Sequence, residues 1–229
     1  YYNENVPTCT ENGYAQDCWY KYATQTYYAD DACTQPLDKA DVMIPALGHD
    51  MTHHDAQSAT FTENGNVEYW YCDRCKTYFF DEKGEYVWDD FDLSDVTYGV
   101  EGNATDGYSI RMPKHGTATL TIDEGITSFK IYDDGGADAN YSDNCSGNLV
   151  LIAPSGKQVV LTGTITSQAG CDMLNACRGI TADDDNRILS WKGSDEDGKA
   201  TSIGMLNGTS MLLNFYSDYE KNYAGLDLT

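Results

Sequence analysis

Basic residues are scarce in this chain. Its 229 residues include 14 Lys and Arg against 37 Asp and Glu, a formal net charge of −23. Nucleic-acid binding depends on Lys and Arg side chains that neutralise phosphates, so we expect neither DNA nor RNA as a partner. The sequence also lacks any apolar run of about 18 residues, which a membrane-spanning helix requires. We therefore expect no membrane span.

The usual catalytic motifs are missing as well. The sequence contains no G-x-S-x-G, no H-E-x-x-H and no P-loop. Pairs of carboxylates identify nothing in a chain with 37 acidic residues, and His115 stands alone in the segment MPKHG. We assign no catalytic residue and expect a protein that is not an enzyme.

Several features point to the outside of a cell. Eight cysteines in a chain rich in Tyr, Thr, Gly and Asp fit an oxidising setting. The N-terminus YYNENVPT has neither the basic nor the apolar segment of a signal peptide, so we expect a mature fragment. N-glycosylation sequons begin at Asn103, Asn140, Asn144 and Asn207. We expect an extracellular or cell-surface glycoprotein.

A hexapeptide recurs in the first half. TCTENG at residues 8–13 returns 52 residues later as TFTENG at 60–65, and the flanking Trp-Tyr pairs align with it. A repeat at a fixed offset indicates internal duplication. We predict two small, β-rich, diverged copies, a degenerate one over residues 1–48 and a second over 49–94.

The two copies align with each other, but their cysteines fall at different positions. The CxxC pair Cys72–Cys75 of the second copy aligns with Lys21 and Thr24 of the first, and Cys9 aligns with Phe61. The first copy nevertheless keeps three cysteines of its own. We predict that a disulfide has replaced a metal there, with the candidates Cys9, Cys18 and Cys33.

The second copy carries the ligand types of a zinc site. Cys72 and Cys75 follow His49, His53 and His54. Thiolates and imidazoles suit tetrahedral zinc, and a unit of about 45 residues needs a staple. We predict structural zinc on Cys72, Cys75, His49 and His54. Two alternatives stay open: a disulfide from Cys72 to Cys75 or to a more distant cysteine, and free thiols.

The second half alternates apolar and polar residues with period two after residue 105. Clear examples are Thr117–Asp123, Ser128–Tyr132 and Met211–Phe215. Many short strands separated by turn signals predict an all-β sandwich over residues 105–229. The boundary before it should lie near Phe91–Thr105, where few residues are apolar.

Specific segments carry family resemblances. FKIYDDGGADANYSDNCSGNLVLIAPSGK, CDML and LLNFYSDYEKNYAGLDLT resemble CUB domains of secreted and surface proteins of bacteria. That resemblance covers about residues 105–229 and implies a jelly-roll-like β-sandwich that binds rather than catalyses. IPALGHDMTHHDAQSATFTENGNVEYWYCDRCKTYFFDEKG is similar to short Cys/His repeats of surface proteins of gut-type anaerobes, which implies a small zinc-ribbon-like fold.

The resemblances also imply site residues in each half. In the repeats, the cysteine at the TCTENG position is expected to be a ligand, so Phe61 would remove one and a second histidine would replace it. In this CUB variant two cysteines usually pair, which implies a bridge from Cys145 to Cys171. Closing that loop of about 27 residues should stabilise the domain by about 3 kcal/mol.

The CUB resemblance further implies a calcium site. Many CUB domains bind calcium through carboxylates in two loops, and Asp172 and Asp218 fall on those positions. The upstream acidic ligand of the pattern is absent, and Asp133 or Asp134 is a candidate to supply an oxygen, since calcium takes six to eight. The alternative is that Asp172 and Asp218 cap turns.

The 18 Tyr and 4 Trp either form the thin cores of small repeats or offer platforms for sugar and protein contacts. We predict a non-catalytic extracellular or cell-surface adhesion or assembly protein, either a surface fibre subunit or a glycan- or protein-binding module. Its partners would be itself, in a homo-oligomer or filament, or an extracellular glycan or protein. The alternative is an accessory, non-catalytic region of a larger secreted hydrolase.

Overall fold

The computed structural model describes residues 1–87, 96–193 and 196–229. Almost every regular element in these ranges is a β-strand, which confirms the all-β class predicted from the alternation. The start of the predicted domain boundary at Phe91 and the end of the second copy at residue 94 lie outside the described residues. Within the described ranges, no helix combines the length and the apolar character that crossing a membrane requires.

The elements follow one another along the chain with short connections. The N-terminal ones are β1 (Gly13–Tyr14), β2 (Trp19–Lys21), β3 (Thr26–Tyr28), β4 (Pro36–Leu37), α1 (Lys39–Val42), β5 (Met43–Ile44), β6 (Met51–His54), β7 (Gly65–Asn66), β8 (Tyr69–Cys72) and β9 (Thr77–Phe79). The remaining strands are β10 (Thr97–Tyr98), β11 (Val100–Asn103), β12 (Gly107–Arg111), β13 (His115–Thr121), β14 (Lys130–Tyr132), β15 (Ser146–Ile152), β16 (Val159–Thr166), β17 (Met173–Arg178), β18 (Arg187–Trp191), β19 (Thr201–Gly208), β20 (Ser210–Tyr216) and β21 (Gly225–Leu228). A single 3₁₀ turn is described at Asp184–Asn186.

The chain forms two compact units. Unit 1 consists of Tyr1–His53 and Trp70–Trp88, and unit 2 consists of His54–Tyr69 and Asp89–Thr229. The second copy of the repeat is therefore divided, because its TFTENG segment belongs to unit 2 and its CxxC pair to unit 1. This differs from the predicted division, in which residues 49–94 form a unit of their own.

Unit 1 contains three small sheets: the pair β1–β5, the sheet β2-β3-β4 and the sheet β6-β8-β9. One of its cores consists of Cys18, Tyr27 and Val42, with partly buried tyrosines around it. Tyrosine rings therefore fill the thin core of the first copy, which is one of the two roles predicted for the aromatic residues.

The two hexapeptides adopt the same turn. The threonine that opens each one accepts a hydrogen bond at Oγ1 from the backbone N–H three residues later. Glu11 donates to Thr8 at 2.9 Å, and Glu63 donates to Thr60 at 3.0 Å. Each turn leads into a two-residue strand, β1 or β7. The common turn agrees with the duplication inferred from the sequence.

Unit 2 is built on a β-sandwich of two sheets. One has six strands in the order β11-β12-β14-β21-β16-β19, and the other has five in the order β13-β15-β20-β17-β18. Buried residues alternate with less buried ones along strand β13, as sandwich packing requires. Ala118, Leu120 and Ile122, which the alternation places on one face, are at most 8% exposed. The predicted period-two pattern is therefore confirmed for β13.

All eight cysteines lie within the described residues, and none is joined in a disulfide in this structure. The predicted bridge from Cys145 to Cys171 is not formed. Cys145 is buried and its Sγ lies 3.2 Å from both Asp134 Oδ1 and Ser142 O, whereas Cys171 is exposed. Hydrogen-bond acceptors of the same loop region thus surround the Cys145 thiol.

The disulfide predicted for the first copy is not formed either. Cys18 is buried in the tyrosine-rich core beside Tyr27. Cys33 lies in a turn at φ 54°, with its Sγ 3.9 Å from Asp31 O. Cys9 packs with Cys72 and belongs to a different cluster. The three thiols therefore occupy separate surroundings.

Candidate metal centre

One cluster of thiols and imidazole stands out in unit 1. It consists of Cys9, His49, Cys72 and Cys75, whose ligand atoms all lie within 4.8 Å of one another. Three separate segments supply them: the first hexapeptide, the loop before β6, and the end of β8 with the turn that follows it. The chain thus brings together residues that are up to 66 positions apart in sequence, from Cys9 to Cys75.

The separations fit tetrahedral zinc. Bonds of about 2.3 Å to sulfur and about 2.0 Å to nitrogen give tetrahedron edges of about 3.8 Å between sulfurs and about 3.5 Å between sulfur and nitrogen. Cys9 Sγ lies 3.8 Å from Cys72 Sγ, and Cys75 Sγ lies 3.5 Å from His49 Nδ1. The donor set and these two edges therefore suit a zinc ion held by three thiolates and His49 Nδ1.

The cluster differs from the predicted ligand set at one position. His49, Cys72 and Cys75 are brought together as expected, but Cys9 stands in the place predicted for His54. The His54 ring instead stacks on Tyr69, with centroids 4.4 Å apart and an interplanar angle of 8°. The reason is local, because His54 belongs to strand β6 whereas His49 precedes that strand in a loop.

Cys9 reaches the cluster through backbone pairing. Leu47 N donates to Thr8 O at 2.9 Å and Gly48 N donates to Cys9 O at 3.0 Å. Arg74, inside the CxxC pair, donates from Nη1 to Gly48 O at 2.5 Å. These bonds tie the first hexapeptide and the turn of the second copy to the same loop. That loop runs directly into His49.

The thiols of the cluster differ in acidity. Burial opposes ionisation of Cys72, but backbone N–H groups of Cys75 and Asp50 aimed at its sulfur outweigh burial and lower its pKa to about 6. Asp50 N lies 3.3 Å from that sulfur. Burial, with the neighbouring thiols of Cys75 and Cys72, raises the pKa of Cys9 to about 11. Cys72 is thus the thiolate most readily available to a cation, and Cys9 must release a proton on binding one.

A glycine makes room for the imidazole. The His49 ring packs at 61° against Phe79, with centroids 4.6 Å apart. On another side, a Cβ on Gly84 would lie 2.7 Å from His49 Cδ2, and Gly84 has φ +72°. Sequence reasoning overlooked Gly84, although glycine after Asp-Glu-Lys is a recognisable turn signal.

In the second copy, Phe61 occupies the position that aligns with Cys9. In unit 2 its ring meets Tyr108 edge-on at 5.1 Å and Phe129 at 5.4 Å. The same turn therefore presents a thiol to a polar cluster in one copy and a phenyl ring to an aromatic cluster in the other. The change from Cys9 to Phe61 follows from these different surroundings.

The predicted calcium ligands Asp172 and Asp218 are engaged in hydrogen bonds. Asp172 is fully buried and accepts hydrogen bonds from the Tyr141 hydroxyl, from Gln168 N at 3.1 Å and from Asp218 N at 3.1 Å. Asp218 accepts from Glu220 N at 2.9 Å. Among the described residues, neither belongs to a group of three or more converging ligand side chains. These hydrogen bonds agree with the turn-capping alternative, and calcium at Asp172 and Asp218 stays a prediction.

The acidic pair suggested as extra calcium ligands is also engaged. Asp133 is fully buried and accepts from Leu226 N at 2.7 Å and from Gly135 N at 3.0 Å. Burial raises its pKa to about 6. Asp134 Oδ1 accepts from Ser142 N at 3.2 Å. Both side chains hold the loop around Tyr141 in place.

Comparisons with known proteins add little to this picture. No family model matches the chain, and no curated protein matches it. One similar solved structure is the full extracellular region of zebrafish Gpr126/Adgrg6, at 18% identity and a TM-score of 0.34. The alignment covers 48% of this chain and 14% of that one, so the chain spans about one seventh of its length. A likeness of this extent carries no argument about function.

Proposed function

We propose that this chain is a non-catalytic binding or assembly module of an extracellular or cell-surface protein. In this proposal a structural zinc ion stabilises the repeats, and a CUB-like sandwich offers the binding surface. The observation that carries it is the set Cys9, His49, Cys72 and Cys75. Four protein ligands complete a tetrahedron and leave no position open for a substrate, which is the arrangement of structural rather than catalytic zinc.

Burial supports a structural role for the metal. Cys9 and Cys72 are buried and pack with Phe79, whereas Cys75 is exposed, so the ion would lie at the edge of a small apolar core. Such a core is too small to stabilise a unit of this size without a staple. The zinc would therefore supply folding free energy to unit 1.

The positions of the sequons support an extracellular setting. Asn103, Asn140, Asn144 and Asn207 are all exposed, as glycosylation requires. Asn144 lies in a tight turn at φ 56°, and Asn103 is the last residue of strand β11. The four sequon asparagines therefore lie at the surface of the folded chain.

Exposed aromatic residues support a role in binding. Tyr22, Tyr86 and Tyr219 are 80%, 66% and 70% exposed. Aromatic side chains offer large contact areas with a polar tip and are enriched at binding surfaces. The net charge of −23 opposes casual aggregation, so self-association would require specific contacts of this kind.

The metal part of the proposal is tested by elemental analysis of the full chain, purified under reducing conditions. We expect one zinc per chain. The matched pair His49→Ala and His54→Ala separates a ligand from its near neighbour: the first should lose zinc and the second should keep it. Zinc below half an equivalent in the wild-type protein would contradict the proposal.

The binding part is tested by light scattering and negative-stain microscopy over a salt series. Screening at about 0.15 M salt, where the Debye length is about 8 Å, weakens the mutual repulsion of the acidic chains. We expect self-association, or capture of a glycan or protein on an array, to strengthen from low salt to this level. A chain that stays monomeric at every salt concentration and binds nothing would favour the accessory region of a larger hydrolase.

A further inference from the structure

A row of polar side chains crosses the outer face of the five-stranded sheet in unit 2. The strand register places them opposite one another on five adjacent strands: Thr117, Asn148, Asn214, Asn175 and Ser190. Strands lie about 4.8 Å apart, so the row is about 19 Å long. We call this row the amide ladder.

Hydrogen bonds link four members of the amide ladder in one direction. Asn148 Nδ2 donates to Thr117 Oγ1 at 3.2 Å, and Asn214 Nδ2 donates to Asn148 Oδ1 at 3.0 Å. Asn175 Nδ2 is 3.4 Å from Asn214 Oδ1. These contacts fix the orientation of the amides before any ligand arrives.

The amide ladder keeps unused hydrogen-bonding capacity. An amide nitrogen has two hydrogens, and within the described residues Asn148 Nδ2 and Asn175 Nδ2 each use one. At the end of this chain of hydrogen bonds, Asn175 Oδ1 is a buried acceptor with no donor among the described residues. Unsatisfied buried polar atoms are costly and uncommon in native proteins, so this one asks for an explanation.

The two rows of side chains that flank the amide ladder on this face differ in burial. On one side the next row of the same face is apolar and buried, with Val150, Leu212 and Cys177 at most 4% exposed. The segment after β17 covers that row, because Asp183 O lies 3.7 Å from Cys177 Sγ. The row on the other side is open: it pairs His115, Ser146, Tyr216 and Met173.

Tyr216 supplies an aromatic surface next to the amide ladder. Its side chain is 41% exposed, and it lies two residues from Asn214 on the same face of β20. An aromatic ring beside amides that donate and accept hydrogen bonds matches the chemistry of a sugar ring. The sugar's apolar face stacks on the aromatic ring, and its hydroxyl groups both donate and accept.

We propose that the amide ladder and Tyr216 form a binding site for a neutral polysaccharide chain. The ligand is neutral because the amide ladder and the open row contain no Lys or Arg to pair with a uronate or sulfate. The net charge of −23 also repels acidic polysaccharides. This inference rests on the proposed function as a binding module and specifies its partner.

The test is affinity electrophoresis of the full chain through gels that contain neutral polysaccharides. The probes are mixed-linkage β-glucan, galactomannan and dextran, with polygalacturonate as the acidic contrast. We expect retardation by at least one neutral polymer and none by polygalacturonate. Tyr216→Ala and Asn148→Ala should each weaken that retardation about tenfold. Tyr1→Ala, which changes a 60% exposed tyrosine of unit 1, should leave it unchanged.

Thermal unfolding of each variant separates binding from folding. A variant that keeps the wild-type melting temperature and loses retardation supports the site. Three results would overturn it: no retardation by any neutral polymer, preference for polygalacturonate, or unchanged retardation in a folded Tyr216→Ala protein. In those cases self-association or protein capture that persists leaves the proposed function standing. Absence of zinc and of every partner would refute the proposed function itself.

Discussion

Replacement of Cys9 by serine should weaken zinc binding by a factor of about 10² to 10³. The substitution nearly preserves the size of a side chain that is 6% exposed, and it removes one thiolate from the cluster. Structural zinc with four ligands contributes about 10–16 kcal/mol, so one ligand accounts for about 2.5–4 kcal/mol. At 1.4 kcal/mol per tenfold change, this share corresponds to the stated factor.

The assay is competition for zinc with a chromophoric chelator at a fixed pH in the presence of a reductant. Fixed pH matters because the pKa of Cys9 is raised to about 11, so zinc binding at this sulfur displaces a proton. Cys171→Ser is the control, since Cys171 is an exposed thiol of unit 2. It should bind zinc like the wild-type protein.

The comparison with His54→Ala decides between the two ligand sets. If Cys9→Ser binds zinc within about threefold of wild type while His54→Ala loses it, the sequence-based set is right and the reasoning from the structure is refuted. The reverse result identifies Cys9 as the fourth ligand. Loss of zinc in both variants would show that His54 supports the site indirectly, through its contact with Tyr69.

Three further perturbations test the site and the sandwich. Gly84→Ala should destabilise the protein by about 1–2 kcal/mol because Gly84 has a φ of +72°, and it should also weaken zinc binding because the new methyl group would contact His49. Gly48→Ala is the control, because Gly48 has the same φ but open space around it, so it should lose stability and keep its zinc affinity. Thermal melts measure the first effect, and chelator competition measures the second. Because burial raises the pKa of Asp133 from 3.8 to about 6, the stability this group contributes is present below pH 4 and falls by about 3 kcal/mol as the pH rises past 6. Urea titrations at pH 4 and pH 7 should show that difference relative to Asp133→Asn, and identical pH slopes would contradict it. Tyr141→Phe removes the hydroxyl that donates to a buried aspartate and should cost about 1.5–3 kcal/mol in urea unfolding at pH 7; an unchanged midpoint would mean that the hydrogen bond is not stabilising.

Local sequence pattern was sufficient for the fold class. Alternation of apolar and polar residues depends only on the two-residue period of a strand, so Ala118, Leu120 and Ile122 could be placed in the core from sequence alone. The duplication was equally visible, because both hexapeptides form a turn stabilised by their own threonine. Residue types and spacing also placed Cys72 and Cys75 in one cluster with His49.

Only the tertiary structure decided which residues meet across long distances in the chain. Cys9 lies 63 residues before Cys72, and nothing local to either marks them as neighbours. Backbone pairing of residues 8–9 with residues 47–48 brings them together. The sequence-based ligand set included His54, whereas its place in β6 directs it to Tyr69.

The amide ladder also could not be predicted from the sequence. Asn148, Asn175 and Asn214 are ordinary polar positions of three separate strands, and each follows the alternation by itself. Their alignment depends on the register of β15, β17 and β20, which hydrogen bonds between strands fix. A shift of one residue would turn each side chain to the other face of the sheet. Sequence determined which residues alternate outward, and the register of the folded sheet decided that three amides form one row.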